Sequence, residues 1–395
     1  MRERWIYKNL GECFPYIKNG ANIKHIKGAK GYPITRIETL SGGVFNRDRM
    51  GYADIFDINK FQDYVLRNGD LLMSHINSKA YIGRTVKYTS QNDEVIIHGM
   101  NLLRLKSNEQ LIQSSFFKYY TDSRHFKSDI ARIRKDAVNQ SSFAISDLRL
   151  IVIPVPSLSE QQSIVTELDK INELISLKKA QLSDLDSLAL SIFYEMFGDP
   201  IENEKGWEQK RIGDVCAEKK DIKRASKCFD GSDDIQYIDI SSINNTSNCI
   251  IGTTSFSFDE APSRAQQKVE KGDILVSLVR PNLKNIAIVN IDEDNLVASS
   301  GFCVLRATKS SNHFIKTLVL TPHFTEYLVK RVTGANYPAV REDDIRNCSI
   351  GAPPLALQQT FSKRIDAIEV QKEQIISTIN DLETLLASRM QYWFE

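Results

Sequence analysis

The sequence has few of the motifs that mark common enzymes. There is no Gly-x-x-x-x-Gly-Lys-Ser/Thr loop, so the usual cradle for nucleotide phosphates is missing, and Gly28-Ala-Lys-Gly31 is too short to replace it. No Gly-x-Gly-x-x-Gly string offers a dinucleotide turn. No Asn-Pro-Pro-aromatic or Asp-Pro-Pro-aromatic tetrad of the amino-methyltransferases occurs; Phe197-Gly-Asp-Pro200 is a helix stop. The six histidines include no i, i+4 pair. Six cysteines (Cys13, Cys216, Cys228, Cys249, Cys303 and Cys348) lie far apart with no Cys-x-x-Cys. They read as reduced, mostly buried thiols of a cytoplasmic protein, and no metal site is expected. Adjacent acids at Asp233-Asp234 and Asp343-Asp344 suit turns or helix starts better than catalysis. No apolar run reaches the roughly 18 to 20 residues of a membrane span. The opening Met1-Arg-Glu-Arg-Trp5 lacks the apolar core of a secretory signal.

What is there is an uneven charge and a long repeat. Lys plus Arg number 51 and Asp plus Glu 50 over 395 residues. Residues 1–150 hold 24 basic against 15 acidic side chains, residues 151–200 hold 3 against 8, residues 201–350 hold 20 against 21, and residues 351–395 hold 4 against 6. The first block suits a polyanion. The third is nearly neutral, so any contact with nucleic acid there must come from local clusters.

An offset of 197 positions aligns Asp147 with Asp344, Arg149 with Arg346, Pro156 with Pro353, Leu158 with Leu355, and Gln161-Gln162 with Gln358-Gln359. Upstream, Trp5 and Leu10-Gly-Glu12 resemble Trp207 and Ile212-Gly-Asp214. Arg67-Asn-Gly-Asp70 and its apolar run resemble Glu270-Lys-Gly-Asp273. One unit of about 200 residues is therefore written twice. It divides into residues 1–157 (globular), 158–198 (helical), 199–354 (globular) and 355–395 (helical).

The helical parts carry heptads. Ile164, Leu168, Ile171, Ile175, Leu182, Leu185, Ala189, Ile192 and Met196 keep alternating 4-3 spacing, broken at Lys178. Phe361, Ile365, Ile368, Ile375, Ile379, Leu382 and Leu386 repeat it, broken at Lys372. Such heptads argue for coiled-coil packing. Ser159 and Gln162 form a capping box at the first helix start, and Ala356 removes it from the second. Gly198-Asp-Pro200 stops the first helix. A helix of about 38 residues would be roughly 57 Å long. The repeat pairs the two helices antiparallel about a pseudo-two-fold axis, as a stiff spacer. The fold class is α+β: two α/β globular domains separated by this antiparallel coiled coil. Strands are expected at 70–74, 85–88, 95–97, 102–105, 274–279 and 286–289, and helices at 110–120 and 315–327.

Basic and amide residues recur at matched places. Asn77, Lys79 and Arg84 follow the first Gly-Asp strand; Arg280, Asn282 and Lys284 follow the second. Arg pairs with guanine O6 and N7, Asn with adenine N6 and N7, while Lys suits phosphates. Arg132, Arg134, Lys135, Asn139 and Gln140 precede the first long helix; Arg331, Asn336 and Tyr337 precede the second. Arg47 and Arg49 form a further basic pair. For each of these, a solvated polar loop remains the plain alternative.

At these residues the chain resembles the specificity subunits of type I restriction-modification systems. The matching strings are Ile153-Pro-Val-Pro156 with Leu158-x-Glu160-Gln-Gln162 before a long helix, Met196-Phe-Gly-Asp-Pro200 after it, and Asn203-x-x-Gly206-Trp207 opening the second domain. The second copy departs at Leu357, where the first has Glu160, and at Gly351-Ala352 in place of Pro154-Val155. The resemblance implies two target-recognition domains that read a bipartite site on double-stranded DNA. It implies a non-catalytic chain that recruits two methyltransferase subunits and, in systems that cut, two restriction subunits. S-adenosylmethionine, ATP and magnesium then belong to those partners, and this chain binds no cofactor. The helices set the gap between half-sites and dock the methyltransferases through acidic faces such as Glu160, Glu167, Asp184 and Asp186. A stand-alone nuclease or methyltransferase, and a coiled-coil scaffold without DNA binding, are the competing readings.

Overall fold

A computed structural model describes residues 5–138, 140–334 and 338–395. The chain forms two compact units, Met1–Lys178 with Thr378–Glu395, and Lys179–Ser377. Each contains one globular domain, the start of one long helix and the end of the other.

In the first unit an antiparallel sheet runs in the spatial order Tyr16–Asn19, Leu102–Lys106, Leu71–Ser74 and Thr85–Lys87. Leu71 lies opposite Leu105, and Leu72 opposite Arg104. The pleat therefore sends Leu71, Met73, Leu103 and Leu105 towards Phe116 and Phe117 of the helix Ser114–Asp122. Leu72, Val86 and Leu102 join Tyr88 and Ile96 on the other face. With both faces covered, Leu71–Ser74 is buried throughout, which is why it reads as an apolar run without alternation. Residues 95–97 form no regular strand. Ile97 makes only single bridges, to Ile34 and Val65.

In the second unit a four-stranded sheet has the order Thr254–Ser257, Asp234–Ile238, Leu296–Ser299, Ala265–Lys268, with its central pair parallel. A three-stranded sheet places Ile274–Ser277 between Ile286–Ile288 and Phe302–Leu305. The single helix expected at 315–327 is two, Asn312–Leu320 and Pro322–Val329. Thr321 caps the second by accepting the Phe324 amide, and Pro322 takes its first turn, where no N–H is needed.

The long helices are Leu158–Phe197 and Leu355–Phe394, 40 residues each, so the 197-residue offset carries both ends. Each is about 60 Å long. The first cap differs from the expected box. Ser157 precedes the helix, and its hydroxyl accepts the Glu160 amide at 3.3 Å. Ser159 lies inside the first turn, and Gln162 reaches Thr166 instead. Gly198, at φ +68°, ends the helix in the left-handed conformation that spares it a Cβ clash.

Within the first unit Ile164, Leu168, Ile171, Ile175 and Ile379 are buried, and Leu382 and Leu386 half-buried. Glu167 accepts from Arg389 across the pair. Within the second, Leu185, Phe361, Ile365, Ile368 and Ile375 are buried, and Lys372 reaches Asp186 at 2.8 Å. In each unit the start of one helix meets the end of the other, so the pair is antiparallel. The core stripe departs from the heptads towards the end of the first helix. Ile192 and Leu182 are half-buried, whereas Phe193 and Phe197 are fully buried. Past Leu185 the stripe advances in steps of four, because a straight helix of 3.6 residues per turn drifts away from a 3.5 repeat.

The helix ends are anchored by aromatic clusters. Phe197 stacks edge-on against Phe314 and Phe361 with centroids at 5.1 and 5.3 Å. Its repeat mate Phe394 meets Phe116 and Tyr120 at 5.6 and 5.9 Å. Removing one such ring costs about 3–5 kcal/mol. Among the described residues no helix is long and apolar enough to cross a membrane.

Candidate nucleic-acid interface

The candidate interface starts from the repeated Gly-Asp turn. Gly69 and Gly272 take φ of +90° and +94°, a region costly to any residue with a Cβ. The next carboxylates close the turn: Asp70 accepts the Arg67 amide at 2.8 Å and Asp273 the Glu270 amide at 2.9 Å. Each is backed by an arginine, Arg104 within a neighbouring strand and Arg306 just past the end of one. Arg306 grips Asp273 through two 2.8 Å bonds, while Arg104 stands 3.7 Å from Asp70 and donates to the Val65 carbonyl. Burial pushes the Asp70 carboxyl up, against the pull of the Arg67 amide and Arg104. These are supports and do not face solvent.

Beyond the turn each strand runs to a serine that ties down the following loop. Ser74 donates to the Tyr81 carbonyl at 2.6 Å, and Ser277 to the Val279 carbonyl at 2.9 Å. In the first unit the chain continues as Ile76–Asn77, which pairs with Ser141–Ser142, which in turn pairs with Lys135–Asp136. The second unit repeats the arrangement with single bridges from Val279 to Ala339 and from Ala339 to Thr333. The loop after the Gly-Asp strand and the segment before the long helix, singled out separately in the sequence, therefore stand side by side in each unit.

Asp136 organises the first patch. It accepts from the Ser141 hydroxyl at 2.7 Å and from Arg134 at 2.6 and 3.2 Å, and lies 3.7 Å from Lys79. The Ser141 bond first, then Arg134, holds its carboxyl below the usual range. Arg134 is thereby tied to the hairpin, whereas Lys79, Lys135 and Gln140 are exposed. Asn77 is half-buried and accepts the Ser78 amide. Arg132 pairs with Asp129 on its own helix yet stays exposed. Arg84 lies 4.4 Å from the Tyr81 ring centre and 3.4 Å from the Leu40 carbonyl. Arg49 is exposed, but Arg47 is engaged elsewhere. It bonds Glu94 at 2.8 Å and the Thr89 carbonyl at 2.8 Å. That pairing lowers the Glu94 carboxyl.

In the second patch Arg280 and Asn282 are exposed and Lys284 is not free. The Lys284 ammonium donates to the Leu320 carbonyl at 3.1 Å and so caps the helix Asn312–Leu320. Arg280 and Lys284 both sit at positive φ, +50° and +51°, on either side of the turn Pro281–Leu283. Two such residues store on the order of 1–3 kcal/mol each. Arg331 lies 3.6 Å from the Tyr327 ring centre and donates to the Tyr327 carbonyl. Asn139, Asn336 and Tyr337 lie outside the described residues.

Sequence reasoning missed the glutamine clips. Gln161 is fully buried. Its amide donates to the Leu111 and Pro156 carbonyls at 2.8 and 2.9 Å, and its oxygen accepts the Gln113 amide at 2.8 Å. Gln358 does the same with the Pro353 carbonyl, the Ser311 amide and the Ser310 hydroxyl. The signal was there: the Gln pair recurs at the offset, but only the first of each pair turns inward. The Glu160/Leu357 departure also has a structural reason. Glu160 accepts the Trp5 indole at 3.0 Å, whereas Trp207 donates instead to the Phe197 carbonyl.

Burial raises the Cys13 thiol to about 11 and the Cys216 and Cys348 thiols to about 12, so none is a ready thiolate. Among the described residues no three His, Cys, Asp or Glu side chains group as metal ligands.

Comparison with known proteins gives a consistent result. The model of the type I restriction modification DNA specificity domain matches residues 2–186 and again residues 204–384. A Methanocaldococcus jannaschii protein named as the type I restriction enzyme MjaX specificity subunit is 28% identical over 410 residues, covering 97% of this chain and 93% of its own. The MjaVIII specificity subunit of the same organism is 24% identical over 407 residues, covering 95% and 92%. The solved S subunit of M. genitalium superposes with a TM-score of 0.55 at 15% identity, covering 99% of this chain and 96% of that one. A chain from a structural study of assembly and conformational transition in a type I system gives 0.54 at 16% identity, covering 100% and 98%. At such identities the likeness is one of fold.

Proposed function

Since this chain belongs to the type I restriction modification DNA specificity family, we propose that it is the DNA-reading subunit of such a system. Each globular domain reads one half of a bipartite site on double-stranded DNA. The observation that carries this reading is the repeated patch: in both units the loop after the Gly-Asp strand pairs with the segment before a long helix, and exposed cationic and amide groups project from it.

Physical chemistry divides the labour within a patch. Lys79, Lys135, Arg49 and Arg132 are long exposed cations suited to phosphates, which set register without selecting sequence. Asn77, Gln140, Arg280 and Asn282 have the donor and acceptor sets that tell base edges apart in the major groove. The strained 280–284 loop is held in shape before DNA arrives, by Lys284 on the Leu320 carbonyl and by the Arg280 amide on the Pro338 carbonyl. Preorganisation of this kind lowers the ordering cost of binding.

The chain itself is non-catalytic on this reading and acts in the cytoplasm, where the DNA is. Two methyltransferase subunits dock on the helices and supply S-adenosylmethionine chemistry. Restriction subunits, where the system has them, supply ATP- and magnesium-dependent chemistry. The deciding experiment maps methylated bases in host DNA with and without this chain, alongside turnover assays on the chain alone. A bipartite methylated motif that vanishes with the chain is expected. Methyl transfer or cleavage by the isolated chain would overturn the assignment.

A further inference from the structure

The Pro281–Leu283 turn of the second unit is gripped at Lys284 from two sides. The Lys284 ammonium is held by the Leu320 carbonyl, and the Lys284 carbonyl by the side chain of Asn248. The Asn248 Nδ2 donates to that carbonyl at 3.0 Å and to the Ile286 carbonyl at 3.3 Å. Asn248 belongs to a short hairpin in which Ile243 lies opposite Ile250 and Asn244 opposite Cys249. Ile243 is buried and Ile250 half-buried, in one core with Leu275, Ala287 and Phe302. Asn244 ties the tip: its side-chain oxygen accepts the Thr246 and Ser247 amides at 2.9 and 3.1 Å. Asn248 closes it at φ +51°, in the left-handed region that asparagine tolerates better than most residues. Hairpin and turn are thus one fixed piece.

Residues 240–258, which include the hairpin, hold no Asp, Glu, Lys or Arg, in a chain that is 26% charged. The lack of charge is not that of a core strand, because Asn244, Asn245 and Thr246 are exposed. Charge decides which part of DNA such a tip can meet. Phosphates are neutralised by Lys and Arg, and the tip has neither. The Asn245 amide carries donors and an acceptor on one planar group, the set that pairs with N6 and N7 of adenine. Nor does the tip carry the aromatic or Arg anchors that lead contacts between proteins. Asn245 is three residues from Asn248, so their Cα atoms are no more than about 11 Å apart, the rise of about three base pairs. Asn282, exposed on the turn, is two residues from Lys284 on the other side of the same hydrogen bond. Both amides therefore fall within reach of one half-site.

We infer that this hairpin tip is a further base-reading element of the second domain: Asn245 reads an A·T pair in the major groove, and Asn248 is the positioning residue that fixes the tip to the Pro281–Leu283 turn. The inference rests on the proposed function and names which residues beyond that turn select sequence. It also gives a nearly neutral domain a way to discriminate between sites that needs no cation.

Methylation mapping with the full chain and the methyltransferase subunits of its system tests this, followed by anisotropy titration of the same complex on a duplex carrying the mapped site. Asn245 is exposed, so Asn245→Ala should melt with the unmodified chain. It should relax one A·T position in one half-site, leave the other half-site unchanged, and weaken binding to the mapped duplex about tenfold. Binding to random duplex and the log-log salt slope should stay as they are, because no cation is lost. Asn248→Gly keeps the positive φ and removes the amide. It should relax the same position, a change that a purely structural role would not confine to one base pair. A motif and an affinity unaltered by Asn245→Ala would overturn this inference alone and make the tip a solvated turn. A salt slope flattened by about 1, or relaxation at a G·C position or in both half-sites, would overturn it as well. No bipartite motif with the unmodified chain would overturn the functional reading with it.

Discussion

Gln161→Ala separates a structural role from a binding role for the glutamine pair at the helix start. The Gln161 side chain makes three hydrogen bonds, to two carbonyls and one amide, in a fully buried site. Its loss leaves those groups without partners. At about 1 kcal/mol net per bond the cost is about 3 kcal/mol. For a unit of this size each kcal/mol moves the melting temperature by about 2–4 °C, so a fall of roughly 6–12 °C is expected for the first unit. The matching control is Gln162→Ala. Gln162 is exposed and donates to the Thr166 hydroxyl at the surface, so less than about 0.5 kcal/mol is expected. Calorimetry gives the magnitude and amide exchange gives the location. The Gln113 amide, which now bonds to Gln161, should exchange roughly a hundredfold faster. Equal effects from the two variants, or a normal Gln113 amide in Gln161→Ala, would refute the clip.

The exposed and engaged cations should behave differently. Lys79→Ala and Lys135→Ala should each flatten the log-log salt slope of DNA binding by about 1 without loss of stability. Arg47→Ala should leave that slope alone and lower stability by about 1–2 kcal/mol through its bonds to Glu94 and the Thr89 carbonyl; a slope change in anisotropy titrations would contradict this. His98 is buried, and desolvation, the largest cause, lowers its pKa to about 3. The folded state therefore keeps it neutral while the unfolded chain takes up a proton below its usual value. Stability should drop by up to about 1.4 kcal/mol per pH unit between about 6.5 and 3 on account of this group, and His98→Asn should make the slope shallower in urea titrations at pH 4 to 6, with buried His75 and half-buried His25, both also lowered, supplying what is left. Removing residues 175–181 and 372–378 together shortens both helices by about 10 Å. The unread gap of the target should shrink by about three base pairs at 3.4 Å per pair. Methylation mapping that shows altered half-sites would refute the ruler.

The parts legible in the sequence were those governed by local periodicity and by the repeat. The 197-residue offset carries both helix ends, and Ile164, Leu168, Phe361 and Ile365 are buried as their spacing requires. Errors arose where distant partners decide. Phe193 replaces Ile192 because Phe314, more than a hundred residues away, receives the ring, 5.5 Å between centroids. Ser157 caps in place of Ser159 because the helix opens two residues earlier than the Ser-x-x-Gln string suggests. Arg47 and Arg49 look alike in sequence, yet Glu94 takes one and leaves the other in solvent. Lys284 reads as a loop cation but faces the end of a helix 36 residues on. A charge's partner is a tertiary property, and no local pattern carries it.

The matched residues fall into two sets, and the difference bears on how the two ends bind. Asp70 and Asp273, Gln161 and Gln358, and Phe394 and Phe197 occupy matched, buried places and satisfy matched groups. Burial explains their repetition, since each would leave a costly gap or an unmade bond if it changed. The exposed loops they support differ in kind. The first unit offers a longer loop between Ser74 and Arg84 in a block with nine more basic than acidic residues. The second offers a short turn between two residues at positive φ in a block of nearly zero net charge. The first can draw DNA in by charge. The second has little long-range attraction and must gain from a shape fixed in advance. One architecture written twice thus offers two different means of binding.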